Sequence, residues 1–316
     1  MLKINIPLSV PRHNISEYKK NYCFLTNNSG RLLLIAGDQK VEHLNNDFFG
    51  PDIPKDDASP EHLFKIAAAS NGGALATHLG LVSRYGGTYK NIPYIIKLNG
   101  KTNIGTCEEK NSSQLWWSVD DVLKFKKQSG LKIVGIGYTL YLGGRHEAKM
   151  LTEAARAIFE AHQAGLTAIL WVYPRSKGVN EENIHTIAGG AGIAASLDAD
   201  FAKVKYPYKA KNLILTARNF HEATLAAGQT KIICVGGKKR STDDLFKYLE
   251  KQITISGTAG LAIGRNLHQR PLDEATRLSQ ALGSIIFRNK TAEEAKLIFS
   301  NKKKDAKKSS KFFFFF

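Results

Sequence analysis

The chain has 316 residues, 43% of them hydrophobic, and a formal net charge of +17. No run of about 18 or more apolar residues occurs, which excludes a bilayer-spanning helix, and "MLKINIPLSVPRHN" lacks the apolar core of a secretory leader. Cys23, Cys107 and Cys234 lie far apart with no CxxC and no zinc-like spacing, which argues against a disulfide framework and fits a reducing, cytoplasmic setting.

In chain order, residues 1–30 read as an N-terminal extension, helical or irregular, that covers the bottom of whatever follows. Short apolar runs then alternate with amphipathic segments. Strands are predicted at 31–37, 74–78, 94–99, 132–137, 167–173, 200–206, 231–237 and 260–264. The segment 146–165 is helical: Met150, Leu151, Ala154, Ala155, Ile158 and Phe159 make one apolar face, and Gly165 falls where a helix ends. The segment 241–253 opens on Ser241 and Thr242 as N-caps with acids in the first turn. Eight mostly continuous apolar runs, each followed by a helix, describe a single (βα)8 TIM barrel over 31–288. An open doubly wound sheet is the competing architecture, but no GxGxxG follows the first strand. The longest connection, 45–62, follows the first strand and is expected to wall the site. Residues 289–316 read as a C-terminal helix and a lysine-rich tail. In "NKKKDAKKSSK" six lysines stand against one aspartate, so much of the positive charge belongs to a solvated, disordered appendage rather than to a nucleic-acid surface. The terminal "FFFFF" has no evident role.

In such a barrel, chemistry collects where strands end. Those ends carry Asp38, Lys97 and Lys101, Trp171 and Tyr173, Lys203 and Lys205, Gly236 and Gly237, and Gly264 and Arg265. Lys203 and Lys205 stand two apart in "DADFAKVKYPY", a spacing that sends both amines from one face of the strand. Interior lysine is costly unless neutralised or partnered. An apolar wall and a second cation lower an amine's pKa, which suits covalent amine chemistry on a phosphorylated carbonyl compound. No metal-ligand spacing, GxSxG elbow or Walker A loop occurs. His43, His78 and His268 read as isolated, hydrogen-bonded histidines.

The motifs "KLNGKT" (97–102), "GYTLYLG" (137–143), "WVYPR" (171–175), "ADFAKVKY" (199–206) and "GLAIGRNLHQR" (260–270) together resemble the archaeal-type class I fructose-bisphosphate aldolases of the DeoC group. The resemblance implies a metal-independent Schiff-base enzyme without cofactor. It would reversibly cleave fructose 1,6-bisphosphate to dihydroxyacetone phosphate and glyceraldehyde 3-phosphate in glycolysis and gluconeogenesis. Lys203 becomes the imine-forming lysine, Lys205 its cationic neighbour, Tyr173 the acid/base tyrosine, Trp171 its site-lining partner and Asp38 the acid closing the first strand. The backbone N–H groups of Gly236, Gly237 and Gly264 would grip a phosphate, with Arg265 adding charge. A homo-oligomer, pentamer or decamer, is implied; a nucleic-acid or membrane partner is not.

Two departures stand out. "DQKVEH" replaces an Asp-His-Gly pattern after the first strand, which leaves open a related barrel enzyme acting on another phosphorylated sugar: a transaldol-type 2-amino-3,7-dideoxy-heptulosonate synthase or a thiolase for a phosphorylated signal. "GGKKR" lacks a proline after the glycines and adds charge, with Lys239 the better-aligned phosphate helper and Lys238 a second.

Overall fold

Alternation along each strand sorts the side chains of this protein between a barrel interior and a coat of helices. The computed structural model describes residues 2–104, 111–208 and 212–301. Eight parallel strands close on themselves: β1 (Leu32–Ala36), β2 (Ala74–His78), β3 (Tyr94–Lys97), β6 (Ile133–Leu142), β7 (Thr167–Pro174), β8 (Phe201–Val204), β9 (Lys231–Val235) and β10 (Gly260–Ile263). A small antiparallel pair, β4 (Asn99–Gly100) and β5 (Gln114–Leu115), sits above β3. The expected TIM barrel is the observed one.

Along the chain, α1 (Ile15–Leu25) precedes the barrel, and α2 (Gln39–Glu42) and α3 (Glu61–Ala69) follow β1. Next come α4 (Leu79–Tyr85), α5 (Val119–Ser129), α6 (Glu147–Gln163), α7 (Ile184–Ser196), α8 (Leu213–Ala226) and α9 (Thr242–Thr254). After β10 come α10 (Arg265–His268), α11 (Leu272–Arg288) and α12 (Ala292–Ser300). Gly165 takes φ +70° just beyond α6, the left-handed geometry that terminates a helix at small cost to glycine. Ser241 caps α9 by accepting from the Asp244 N–H.

Most strands differ from their predicted extents by a residue or two, and two of the differences bear on the site. β6 continues to Leu142 because it pairs with β7 without interruption from Gly135↔Thr167 to Leu142↔Pro174. β8 stops at Val204, so Lys205 stands beyond the strand, two residues before Pro207. Cys107 and the lysine-rich tail with its phenylalanines lie outside the described residues.

The barrel's lower end is plugged by α1. Tyr18, Tyr22 and Leu25 join Leu32, Leu34, Val134, Ile169, Phe201 and Ile233 in one buried cluster, and Tyr22 stacks on Phe201 with ring centroids 5.9 Å apart. Asp200, just before β8, is the polar anchor of this end. It accepts from the Tyr18 hydroxyl, from the Ala168 N–H (2.7 Å) and pairs with His162 Nε2 (3.1 Å). Removing one partner leaves a carboxylate buried and under-satisfied. Tyr18→Phe is therefore expected to cost about 1–3 kcal/mol of stability, measured by urea unfolding.

Candidate active site

The upper end is built by the same alternation. Trp171 on β7 lies in register with Lys203 on β8, and Tyr173 stands two residues nearer the mouth, stacked on Tyr141 of β6 at 5.9 Å. Gly137 on β6 admits the indole: a Cβ there would lie 2.4 Å from Trp171 Cζ3. The indole is thus a buried floor. Lys97 Nζ lies 4.6 Å and Lys203 Nζ 5.0 Å from a ring centroid of it.

The two amines are held differently. Lys97 is wholly buried and donates to Thr139 Oγ1 and to Asn99 Oδ1 (3.3 Å). Asn99 is itself fixed to the backbone of Thr139, donating to its carbonyl (2.8 Å) and accepting from its N–H (2.7 Å). Lys203, 5% exposed, lines a cavity of about 620 Å³ together with Asp38, Glu42, Tyr141 and Tyr173. Burial lowers the pKa of both lysines, and the charges of Asp38 and Glu42 oppose that shift. Asp38 sits at the end of β1. Burial works against its charge, yet Lys203, Lys97 and His78 outweigh burial and hold it below the usual carboxylate range. Glu42, one helical turn further on, is pushed up to about 7 by burial and then by the charge of Asp38. Tyr173 is driven well above its ordinary value by burial, then by Asp38 and Glu42.

Charged groups ring the rest of the cavity. Arg175 lies over Tyr173 (5.3 Å) and Tyr141 (5.7 Å) and is bonded to Glu181. Lys205 Nζ is 3.3 Å from Glu181 and 3.3 Å from Glu182. On the opposite flank, the turn after β9 bends through Gly237 at φ +72°, a left-handed conformation suited to glycine. Asn266 braces this turn, donating to the Gly236 (3.2 Å) and Lys238 (3.1 Å) carbonyls and accepting from the Arg240 N–H (3.0 Å). Lys238, Arg240 and Arg265 line the cavity beside Gly236, Gly237 and Gly264, and Arg240 stacks 3.9 Å over Tyr208.

This architecture can be compared with known proteins. Residues 32–270 match the family described as DeoC/LacD family aldolase. The chain is a DeoC/LacD family aldolase. It is 50% identical to a fructose-bisphosphate aldolase/6-deoxy-5-ketofructose 1-phosphate synthase of Methanocaldococcus jannaschii, the match covering 94% of each chain. It is 31% identical to the class 1 fructose-bisphosphate aldolase of Thermoproteus tenax over 84% of this chain and 93% of that one. A solved fructose-bisphosphate aldolase of Slackia heliotrinireducens superposes with a TM-score of 0.90 at 40% identity, covering 95% of each chain. A solved archaeal fructose-1,6-bisphosphate aldolase, with its catalytic lysine bound to the carbinolamine intermediate, superposes with a TM-score of 0.72 at 29% identity. That match covers 85% of this chain and 99% of the other. The aldolase falls, as its motifs imply, with the archaeal-type class I fructose-bisphosphate aldolases.

Against the predicted site of this aldolase, Asp38, Tyr173, Lys203, Lys205, Gly236, Gly237, Gly264 and Arg265 all meet at the one cavity. Four details differ from expectation. Trp171 is the floor beneath the amines and not part of the cavity wall, because its inward strand position lies one step below Tyr173. The second amine over that floor is Lys97; Lys205, beyond the end of β8, is neutralised by Glu181 and Glu182. The Gly236 N–H is spent on the Ala262 carbonyl (2.8 Å), continuing the strand ladder. Lys239 turns outward to the Gln269 carbonyl (2.8 Å), and Lys238 takes its place at the cavity.

Of the "DQK" departure, Gln39 lines the cavity against Gly264, while Lys40 folds back over Phe48 (3.8 Å) toward the Asp57 carbonyl (3.2 Å). Glu42, Arg175, Arg240 and Asn266 are site residues that sequence reasoning missed. A carboxyl four residues after Asp38 was the one readable signal.

Because the Asp38 charge opposes the burial-driven fall in the Lys203 pKa, Asp38→Asn should release more free amine at a given pH. The midpoint for reductive methylation of Lys203, followed by peptide mass across a pH series, is expected to move to lower pH. A midpoint unchanged or raised would remove Asp38 from control of the amine.

Proposed function

We propose that this aldolase cleaves fructose 1,6-bisphosphate reversibly to dihydroxyacetone phosphate and glyceraldehyde 3-phosphate through an imine on Lys203. The observation that carries this reading is a buried amine with lowered pKa, opening into a cavity that also holds an ionised carboxylate and a neutral phenol. Free amine is the nucleophile, and burial raises its share at a given pH.

Lys203 Nζ adds to the C2 carbonyl, and loss of water from the carbinolamine gives a protonated imine. The imine draws the C3–C4 electron pair as Asp38, ionised by its lysine neighbours, accepts the C4 hydroxyl proton. Glyceraldehyde 3-phosphate leaves and an enamine remains. Tyr173, kept neutral by burial, gives its proton to C3 and recovers it from Asp38. Water then releases dihydroxyacetone phosphate and restores the amine. Tyr173 is the proton carrier of this scheme and Asp38 its acceptor. Lys97 acts as a fixed cation that keeps Asp38 ionised, and Trp171 positions both amines.

A substrate with two phosphates calls for donors at two places. One is the turn of Gly237 and Gly264 with Lys238, Arg240 and Arg265, a nest of backbone and guanidinium donors. At the other end Arg175 and Lys205 are already paired with Glu181 and Glu182, so that end offers oriented N–H donors rather than net positive charge. Binding energy from these ends places C2 against the amine. Every relative and solved structure named above carries an aldolase name, which favours cleavage over the related synthase or thiolase. The 50% identity to the Methanocaldococcus jannaschii protein, whose name adds a synthase, supports a further synthetic use of the enamine.

Borohydride added with dihydroxyacetone phosphate should fix one substrate carbon chain on Lys203, located by peptide mass, and Lys203→Met should abolish both adduct and cleavage. Activity should persist in excess EDTA. No adduct, with activity lost to EDTA, would end the imine reading. Lys238→Met is expected to raise KM for the bisphosphate about tenfold or more, the worth of one charge-assisted phosphate contact. Lys239→Met should leave KM near wild type, which steady-state kinetics would check.

A further inference from the structure

The scheme above leaves one proton without a donor. The C2 oxygen must depart from the carbinolamine as water, and hydroxide is too poor a leaving group to go unprotonated. Asp38 is ionised, and Tyr173 serves C3.

Glu42 is the last residue of α2 and lines the same cavity as Lys203 and Tyr173. Its Oε1 is buried and has no hydrogen-bond partner among the described residues. Leaving such an oxygen unpaired costs stability, so its position calls for a reason other than stability. The groups that face it come from every surrounding strand end: Asp38 after β1, Lys97 on β3, Lys101 beyond β4, Lys203 on β8, and Tyr141 and Tyr173 on β6 and β7. Burial and the Asp38 charge favour its acid form, the three lysines oppose it, and the balance falls at about 7. A carboxyl poised there can give and take a proton with similar ease at neutral pH.

Resting on the aldolase reading, we infer that Glu42 is the acid that expels the C2 oxygen when the carbinolamine collapses, and the base that activates water when the imine is hydrolysed. In the forward step the Glu42 proton passes to the C2 hydroxyl, the C2–O bond breaks to give water, and the nitrogen lone pair forms the C2=N bond. A carboxylate and an iminium remain, so charge is conserved. On hydrolysis, water loses a proton to Glu42 as it adds to C2, and the carbinolamine is regenerated.

Glu42→Gln preserves shape and removes the titration. Rapid-quench intact-protein mass and borohydride trapping with fructose 1,6-bisphosphate are the readouts. The variant is expected to form imine about 100-fold more slowly, to accumulate an adduct that retains the water, and to lose the limb of the kcat profile near pH 7. Glu42→Asp, which keeps a titrating carboxyl, should recover part of the rate and a limb. A raised folded-state pKa means that Glu42 stabilises fully below the ordinary glutamate range and that this contribution is lost as pH rises through about 7. Above pH 7 the glutamine variant should therefore melt no lower than wild type.

Imine formation at the wild-type rate in Glu42→Gln would overturn the inference. So would a variant that fails to fold or forms no adduct at all, either of which marks a structural role. Failure of the wild type itself to trap would instead sink the aldolase reading, so the two failures are distinct.

Discussion

The upper half of this barrel depends on one electrostatic balance: two lysines buried over a single indole, with two carboxyls at the same strand ends. Taking an ion out of water costs several kcal/mol even after relaxation. Cation–π contact with Trp171 returns about 0.5–2 kcal/mol, too little to hold two buried ammonium groups. Asp38 is what makes the arrangement tolerable, and both lysines in turn hold Asp38 ionised. The balance does not close for both amines alike. Lys97 adds Thr139 and Asn99 as hydrogen-bond acceptors, whereas Lys203 opens on the cavity. One lysine is therefore tied down by neighbouring acceptors and the other left facing the cavity, although both lie against the same indole.

The barrel keeps this costly site apart from what stabilises it. The lower end is closed by α1 and by the Asp200 network, whose partners are all within the protein. The upper end carries buried unpaired atoms at the site itself, among them Glu42 Oε1, Gln39 Oε1 and Trp171 Nε1. Such a division matches the general behaviour of parallel barrels, whose strand C-termini bear loops free to vary around a fixed core.

How much of this was legible follows from what sets a side chain's direction. On strands the period is two, so continuous apolar runs gave the barrel, and spacing placed Trp171 with Tyr173 at one strand end and Lys203 at the next. Past the strand ends no period applies. Lys238 and Lys239 are adjacent in a turn bent by Gly237, and which one faced the cavity depended on Asn266, 28 residues from Lys238. Lys205 was read as a continuation of β8; the strand ends first, and acids from the β7–α7 loop claim it. Lys97 was visible as a strand-end lysine but not as the second amine over Trp171, because that meeting needs the close approach allowed at Gly137 on the intervening strand.

Asp38 and Glu42 show how one short turn can hold two carboxyls in different states. Both are buried, and both feel Lys97 and Lys203. If the two were equivalent they would share one macroscopic titration belonging to the pair. They are not equivalent, because for Asp38 the lysines and His78 outweigh burial, whereas for Glu42 burial and the negative charge of Asp38 outweigh three lysines. Ionising the first therefore protects the proton on the second, and the pKa values move apart as like charges require. The same step that keeps Asp38 ready to accept a proton leaves Glu42 able to donate one. Two opposite tendencies thus arise in residues four apart, set by the balance of burial and neighbouring charge at each.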